Sequence, residues 1–501
     1  MPDDNNLFPE EQYQDQHEKS KHIKFWEALV PIVVLVILLG YNVFIYGDSA
    51  TSGPNQFALI FAGVVGAMFG FSKNISYNDM MEAIVDNVKS TSSAIFILLM
   101  VGALAGTWLV SGIIPTMIYY GLEILNPRFF LAAALIICCI ISLATGSSWT
   151  TTATIGIALM GIGKALGLPL GMIAGAVLSG SYFGDKMSPL SDTTNLAPAM
   201  AGTDVFTHIR YMMYTTIPSI LLTLIIFVVL GFFYGGEVAQ DSSDLVSSIQ
   251  NTFNISPLLF IVPLVVIVMI VKKAKPLTAL FIGTILAGIF AIIFQPEIIM
   301  NLAGSKTFDA NTAYKGVMNA MIGDVFIPSG NEILDKNELF SSGGMSGMLS
   351  TIWLILCAMF FGGIMQEIGA LQKISDTLLK VAKSTFGLFA STTFSCIFFN
   401  GTASDQYLSI VVPGKMYQKA FKDRGLAPEN LSRTLEDSGT VTSILFPWNT
   451  GGAYQSKTLG VATGEYVWFA FFNIISPIMT LIFAYFNIKI RMLTSPKTAK
   501  A

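Results

Sequence analysis

Ten apolar stretches of roughly 15 to 23 residues recur along the chain, at 25-46, 57-71, 94-113, 130-144, 213-235, 257-271, 277-294, 351-368, 384-399 and 466-488. A helix needs about 20 such residues to cross a ~30 Å hydrocarbon core. Lipid offers the backbone no hydrogen bonds, so helices are the economical way to span it. The residues are 53% hydrophobic and only 12% charged, too little polar surface to cover a water-soluble globule of 501 residues. An all-α, multi-pass protein of the cell membrane is expected.

The first 24 residues carry Asp3, Asp4, Glu10, Glu11, Lys19 and Lys21, and the first apolar run is long enough to span, so no cleavable signal is expected and 1-24 reads as a cytoplasmic tail. The net charge of -4 points to no nucleic-acid partner. Cys138, Cys139, Cys357 and Cys396 lie in apolar runs and read as packing residues. His17, His22 and His208 sit in the tail or at a helix boundary without ligand spacing, so no metal cofactor, and no other cofactor, is expected.

A long internal repeat is visible. Ile95 to Leu99 ahead of Gly106 and Gly112 matches Ile352 to Leu356 ahead of Gly363 and Gly369. Thr145-Gly146-Ser147-Ser148 parallels Asn400-Gly401-Thr402-Ala403-Ser404, Gly167-Leu168-Pro169 parallels Gly425 to Pro428, and Pro189 and Pro218 parallel Pro447 and Pro477. The offsets (363-106, 401-146, 447-189 and 477-218) are 257, 255, 258 and 259, a drift small enough to argue for duplication.

Basic residues mark the cytoplasmic side. Lys19, Lys21 and Lys24, then Lys73 and Lys89, His208 and Arg210, Lys272, Lys273 and Lys275, Lys373, Lys380 and Lys383, and finally Lys489 and Arg491 assign both termini to the inside. Stretch 94-113 then runs outward and 351-368 inward; 213-235 runs outward and 466-488 inward. The fold class expected is therefore two inverted-topology repeats, at 25-235 and 257-490. An extracellular connection at 236-256 joins them, an extracellular insertion of no evident function fills 295-350, and 491-501 forms a cytoplasmic end. Lys415, Lys419, Lys422 and Arg424 return the chain to the inside after Asn400-Gly401-Thr402. Residues 384-413 thus read as a re-entrant hairpin, with an equivalent at about 130-160 whose tip is Thr145 to Thr152.

Four stretches interrupt apolar sequence with short oxygen-bearing side chains. The first holds Thr145, Ser147, Ser148, Thr150, Thr151 and Thr152. The second runs from Gly184-Asp185-Lys186 through Ser188, Pro189, Ser191, Asp192, Thr193 and Thr194 to Asn195. The third is Asn400, Thr402, Ser404 and Asp405; the fourth is Asp437, Ser438, Thr440, Thr442 and Ser443, reaching Pro447 and Asn449. Glycine and proline break the helical ladder there, making discontinuous helices whose freed backbone groups need protein, water or an ion as partner. Hard cations favour such oxygens. A carboxylate among them chooses between a proton and a cation.

Asp405, Asp437, Asp185 and Asp192 are the candidates, because an intramembrane carboxylate is a functional hypothesis by default. The competing reading for Asp405, Asp437 and Asp192 is a helix cap; Asp185 could instead pair with Lys186 or with a neighbouring span. Lys186 could be a counter-charge or could snorkel, and Glu367 reads more simply as snorkelling or paired with a lysine. Gly66/Gly70, Gly102/Gly106 and Gly171/Gly175 are spaced for close helix approach.

The run Gly180 to Pro198 (GSYFGDKMSPLSDTTNLAP) and Leu435-Glu436-Asp437-Ser438-Gly439-Thr440, followed by Pro447-Trp448-Asn449-Thr450, resembles the signature stretches of the NhaC family of Na+/H+ antiporters. The resemblance covers essentially the whole transmembrane region. It implies paired re-entrant hairpins with Na+ near their tips, homodimers, and Na+ and H+ as transported partners by alternating access. A family member that exchanges malate and protons for Na+ and lactate leaves open a small carboxylate or amino acid as co-substrate. Arg128 and Arg210, the only arginines before residue 424, lie away from the hairpin tips, so no carboxylate clamp is visible. A channel is disfavoured by the inverted repeat, and no nucleophile-base constellation suggests an enzyme.

Overall fold

In the computed structural model, residues 23–234, 242–336 and 338–493 are described. Most of the expected tail 1-24, with His17 and His22, residues 236-241 of the expected connecting loop, and 494-501 of the C-terminus lie outside the described residues.

The chain is a helical bundle. Its helices in order are α1 (Phe25–Tyr46), α2 (Pro54–Ser72), α3 (Tyr77–Val110), α4 (Ile113–Ile124), α5 (Pro127–Thr145), α6 (Ser148–Thr151), α7 (Ile157–Ala165), α8 (Leu170–Met187), α9 (Asp192–Ala201), α10 (Val205–Tyr234), α11 (Ser242–Thr252), α12 (Ile261–Val271) and α13 (Pro276–Phe294). There follow α14 (Pro296–Ala303), α15 (Ala310–Ile322), α16 (Glu332–Lys336), α17 (Leu349–Glu367), α18 (Ala370–Val381), α19 (Thr385–Thr402), α20 (Leu408–Asp423), α21 (Pro428–Leu435), α22 (Thr450–Leu459), α23 (Thr463–Tyr466) and α24 (Phe471–Tyr485). Among the described residues, seven helices are long and apolar enough to cross a membrane, or up to nine if each of two bent pairs counts as one span. The bent pairs are α11 with α12, at 82°, and Thr463–Phe469 with α24, at 52°.

Sequence accounts for the helix starts. Ser76 opens α3 with a capping box shared with Asp79, Asn126 accepts from Arg128 N–H ahead of α5, and Ser384 accepts from Gly387 N–H ahead of α19, each satisfying an orphan donor. On α1, Val33, Val36, Ile37 and Phe44 are exposed while Ala28, Leu35 and Leu39 are buried. An exposed apolar stripe at helical spacing is what lipid requires.

Several spans depart from their expected limits. α3 has 34 residues, about 50 Å at the helical rise, so stretch 94-113 is only its C-terminal part. Stretch 257-271 is preceded by a sharply bent helix, and 466-488 is broken near Ala470 and ends at Tyr485. Helices α4 and α8 were not among the expected spans. All of α8's four glycines, Gly171, Gly175, Gly180 and Gly184, are buried; surrounded by protein rather than lipid, it does not need an apolar exterior.

The glycines set interhelical distance. A Cβ on Gly180 would lie 2.3 Å from Leu135 O, and one on Gly184 would lie 2.4 Å from Leu143 N, so α5 and α8 touch along their backbones. Gly171 and Gly175 meet the carbonyls of Glu465 and Phe469 at 2.3 and 2.4 Å by the same construction. Gly102 and Gly106 of α3 face Gly344 O and Ala320 O, which seats the 295-350 segment against the bundle. That segment includes a small antiparallel β pair, β1 (Val325–Phe326) with β2 (Ser341–Ser342).

Left-handed glycines recur in register. Gly112 and Gly369 open α4 and α18, Gly167 and Gly425 precede α8 and α21, and Gly202 and Gly460 end α9 and α22, at separations of 257, 258 and 258 residues. Such backbone favours glycine because a side chain there clashes.

Candidate functional site

The oxygen-rich stretches fold as helix breaks. α5 ends at Thr145 and Gly146 is left-handed (φ 71°); Ser147 then caps α6 by accepting from Thr150 N–H at 3.2 Å. A π turn at Thr152–Gly156 joins α6 to α7, and such turns often mark functional positions.

Asp185, near the end of α8, reaches this break. Its Oδ2 accepts from the Ser148 backbone N–H at 3.1 Å and from Ser148 Oγ at 2.6 Å. Thr194 Oγ1 donates to the carbonyls of Asp185 and Lys186 at 3.2 and 3.0 Å, tying α9 to the end of α8. Ser191 caps α9, accepting from Thr194 N–H, and Ser188 Oγ accepts from Leu190 N–H.

The second half forms a matching cluster. Asn400, at the end of α19, donates to Gly439 O at 2.6 Å and to Thr442 Oγ1 at 3.0 Å. Asn449 caps α22 by accepting from Gly451 N–H at 2.9 Å and donates to Asn400 O at 2.9 Å. Ser404 is a left-handed non-glycine residue (φ 59°); its carbonyl accepts from Thr450 N–H at 2.9 Å. Asp405 accepts from Tyr407 and Leu408 N–H at 2.9 and 3.0 Å, so this buried carboxylate does cap α20. Thr402 donates back to Phe398 O, as a helix hydroxyl does. Ser438 donates to Thr393 Oγ1 at 3.2 Å.

The two clusters meet. The rings of Trp149 and Tyr454 stack at 4.1 Å, and Tyr454 Oη donates to Trp149 O at 3.0 Å. Ser443 Oγ donates to Gln406 Oε1 at 3.3 Å. Around this seam the hydroxyls of Tyr182, Ser181, Ser404 and Thr440 and both ends of the Gln455 amide are buried without a hydrogen-bond partner among the described residues. Each such group costs about 1–3 kcal/mol unless water or a bound ion satisfies it.

Lys186 and Asp437 form a fully buried salt bridge. Lys186 Nζ also donates to Ser476 Oγ at 2.8 Å and lies 5.5 Å from the centre of the Phe472 ring. Asp437 accepts besides from Thr215 Oγ1 at 2.8 Å and from Thr480 Oγ1. Lys186 therefore neither snorkels nor pairs with Asp185; it bridges α8 to the π segment Glu436–Thr440 that follows α21.

Asp192 and Asn195 lie at the rim of this interior, where the Asp192 charge still acts on Asp185 and Tyr407. Both are exposed on α9, Asp192 in its first turn, where a negative charge favours the helix dipole, and Asn195 bonded to Pro189 O and Ser191 O. His208 lies in the first turn of α10, at the helix boundary as expected, and is buried with its Nδ1 2.8 Å from Ser432 Oγ.

Glu436 is the acidic residue that the sequence reading passed over, noticed only as a neighbour of Asp437. It is fully buried; Oε1 accepts from Thr193 Oγ1 at 3.0 Å, while Oε2 has no partner among the described residues. The charges of Asp185 and Lys186 both act on it. No group of three or more His, Cys, Asp and Glu side chains able to hold a metal ion occurs among the described residues.

The Na+/H+ antiporter family model matches residues 180–488, which includes both signature runs and every helix break but the first. The chain belongs to the Na+/H+ antiporter family. It is 38% identical over 430 residues (86% of this chain, 90% of the relative) to the Na+/H+ antiporter NhaC of Alkalihalophilus pseudofirmus. It is 37% identical over 471 residues (94% and 96%) to the malate-2H+/Na+-lactate antiporter of Bacillus subtilis. The arginine/ornithine antiporter ArcD of Halobacterium salinarum is 33% identical, with 97% of this chain and 96% of the relative covered. Like its antiporter relatives, this family member is a multi-pass membrane protein of the transport class.

Proposed function

We propose that this chain exchanges Na+ for H+ across the membrane by alternating access, using carboxylates at its broken helices that bind either ion. The observation that carries the reading is Glu436: one oxygen is held by Thr193 and the other is fully buried, with the Thr440 hydroxyl as its neighbour. A carboxylate oxygen in such a place is satisfied by a proton or by a cation. Na+ stabilises the ionised form and drives the proton off, and competition for one site suffices for antiport. Asp185, which reaches the first hairpin tip from α8, and Asp405 at the second tip accept from neutral donors and serve the same exchange. Thr145, Ser147, Ser148, Ser188, Ser191, Thr194, Asn400, Thr402, Ser404, Ser438, Thr440 and Asn449 supply neutral oxygens or hold the breaks open, while Asp437 is kept by Lys186 as an internal counter-ion pair.

Two inverted repeats with re-entrant hairpins at 130-160 and 384-413 remain our reading of the architecture. The three glycine pairs in constant register support it, as does α19, an 18-residue helix that falls outside the seven spans. The division into 25-235 and 257-490, cytoplasmic termini and a homodimer belong to the same proposal. The relatives named for malate/lactate and arginine/ornithine exchange extend it to a small organic acid or amino acid as co-substrate.

Na+ added to weakly buffered purified protein is expected to release protons saturably. Absence of release at every pH from acidic to alkaline overturns the reading.

A further inference from the structure

Arg433 lies on α21, fully buried, and Nε, Nη1 and Nη2 all lack a hydrogen-bond partner among the described residues. A guanidinium carries five N–H donors in a rigid fork. Leaving that charge in a dry interior without an acceptor costs several kcal/mol.

Two of the neighbouring acids are taken, and the third, Glu436, makes no hydrogen bond to the fork. Glu429, one turn earlier, is paired with Arg491 at 2.6 Å; Asp437, one turn later, is held by Lys186, Thr215, Ser476 and Thr480; Glu436 is bonded to Thr193. The fork is nonetheless held in place, because its plane lies over the Tyr211 ring at 4.6 Å and near Phe483 at 5.9 Å. Tyr211 is itself fixed, its hydroxyl 2.5 Å from both Asn430 Oδ1 and the Lys489 carbonyl. On the same seam between α10 and α21, His208 bonds Ser432 through Nδ1 and leaves Nε2 buried without a partner.

We propose that Arg433 is the binding residue for a small organic carboxylate, taken bidentately along the free edge of the guanidinium. Planar bidentate geometry is what distinguishes a carboxylate from a spherical anion at an arginine. The sequence showed no such clamp among its early arginines; this one stands in the second half, one helical turn before the Lys186–Asp437 bridge. Carboxylate binding there couples to the cation site through that shared helix. The assignment rests on the exchanger reading above but is tested separately from it.

The test uses full-length protein in detergent at fixed Na+ and pH, with L-malate, L-lactate and chloride as probes and the thermal midpoint and isothermal titration as readouts. L-malate or L-lactate is expected to raise the midpoint saturably in wild-type protein. Arg433→Gln is expected to weaken that binding about ten- to hundredfold, and Arg433→Lys, which keeps the charge but not the fork, to weaken it as well, while Na+-driven proton release persists in both. If Arg433→Gln does not yield folded protein, the Arg433→Lys comparison decides. Neither carboxylate binding wild type, chloride binding as well as the carboxylates, or unchanged carboxylate affinity in Arg433→Lys overturns the proposal. Carboxylate binding without Na+-driven proton release would instead remove the exchanger reading and leave Arg433 in place.

Discussion

Lys186 and Asp437 share one salt bridge with neither side chain exposed to solvent, and it joins the last turn of α8 in the first half to the π segment after α21 in the second. Taking two ions out of water is costly, and the pair persists because each charge has further partners. Removing one partner leaves the other charge bare. Asp437→Ala or Lys186→Ala is expected to lose about 3–5 kcal/mol of stability, whereas a double replacement by apolar residues of similar volume is expected to recover most of it. Chemical denaturation in mild detergent reads the cycle. Additive losses in the double variant would show that the two residues do not act as a pair.

Glu436→Gln keeps the side chain's shape and its acceptor for Thr193 but removes the ionisable oxygen. Exchange in proteoliposomes is expected to fall at least tenfold, the range in which proton-transfer groups act, with the thermal midpoint little changed. A variant with wild-type flux would take Glu436 out of the exchange.

For Asp405 the cap and the ion site predict different results. Asparagine is as good an N-cap as aspartate, and it still accepts from Tyr407 and Leu408 N–H. Asp405→Asn is therefore expected to fold normally and to lose Na+/H+ exchange. If flux survives Asp405→Asn but Asp405→Ala destabilises the protein, the residue is only a cap.

How much of this could be read from the chain depended on what surrounds each element. Helices that face lipid had to be apolar, so α1, α2, α5, α10 and α13 were legible as runs. Helix α8 was not, because protein covers it and glycine and serine suit its close neighbours; α4 was too short to register. The breaks at Gly146 and Asn400 were visible because glycine and hydroxyl side chains interrupt apolar sequence there. Partner choice was not visible: Asp185 precedes Lys186 in the chain, but successive helical residues diverge by about 100°, which sends Lys186 to Asp437 and Asp185 to Ser148. Arg433 and Glu436 went unread for a related reason, since a charged residue in a polar stretch looks solvated until packing encloses it.

Gly175 tests whether the close approach of α8 to the 463–469 segment matters. An added Cβ would meet the Phe469 carbonyl oxygen at 2.4 Å and the Phe469 Cβ at 2.5 Å, and backbone cannot step aside as a flexible side chain can. Gly175→Ala is expected to cost about 1–3 kcal/mol through overpacking and to lower the thermal midpoint.

Competition between ions carries a sign. If Na+ and H+ share a carboxylate, Na+ binds only the ionised form, so adding it lowers the apparent pKa of the site. The pH of half-maximal exchange is then expected to move down as Na+ rises, by about one unit for each tenfold increase once Na+ is well above its dissociation constant, because one proton leaves for each ion bound. Proton flux followed with a pH-sensitive dye across a Na+ series measures this. A midpoint that stays fixed over a hundredfold range of Na+ would mean that the two ions occupy separate sites, and the single-carboxylate exchange at Glu436 would have to be abandoned.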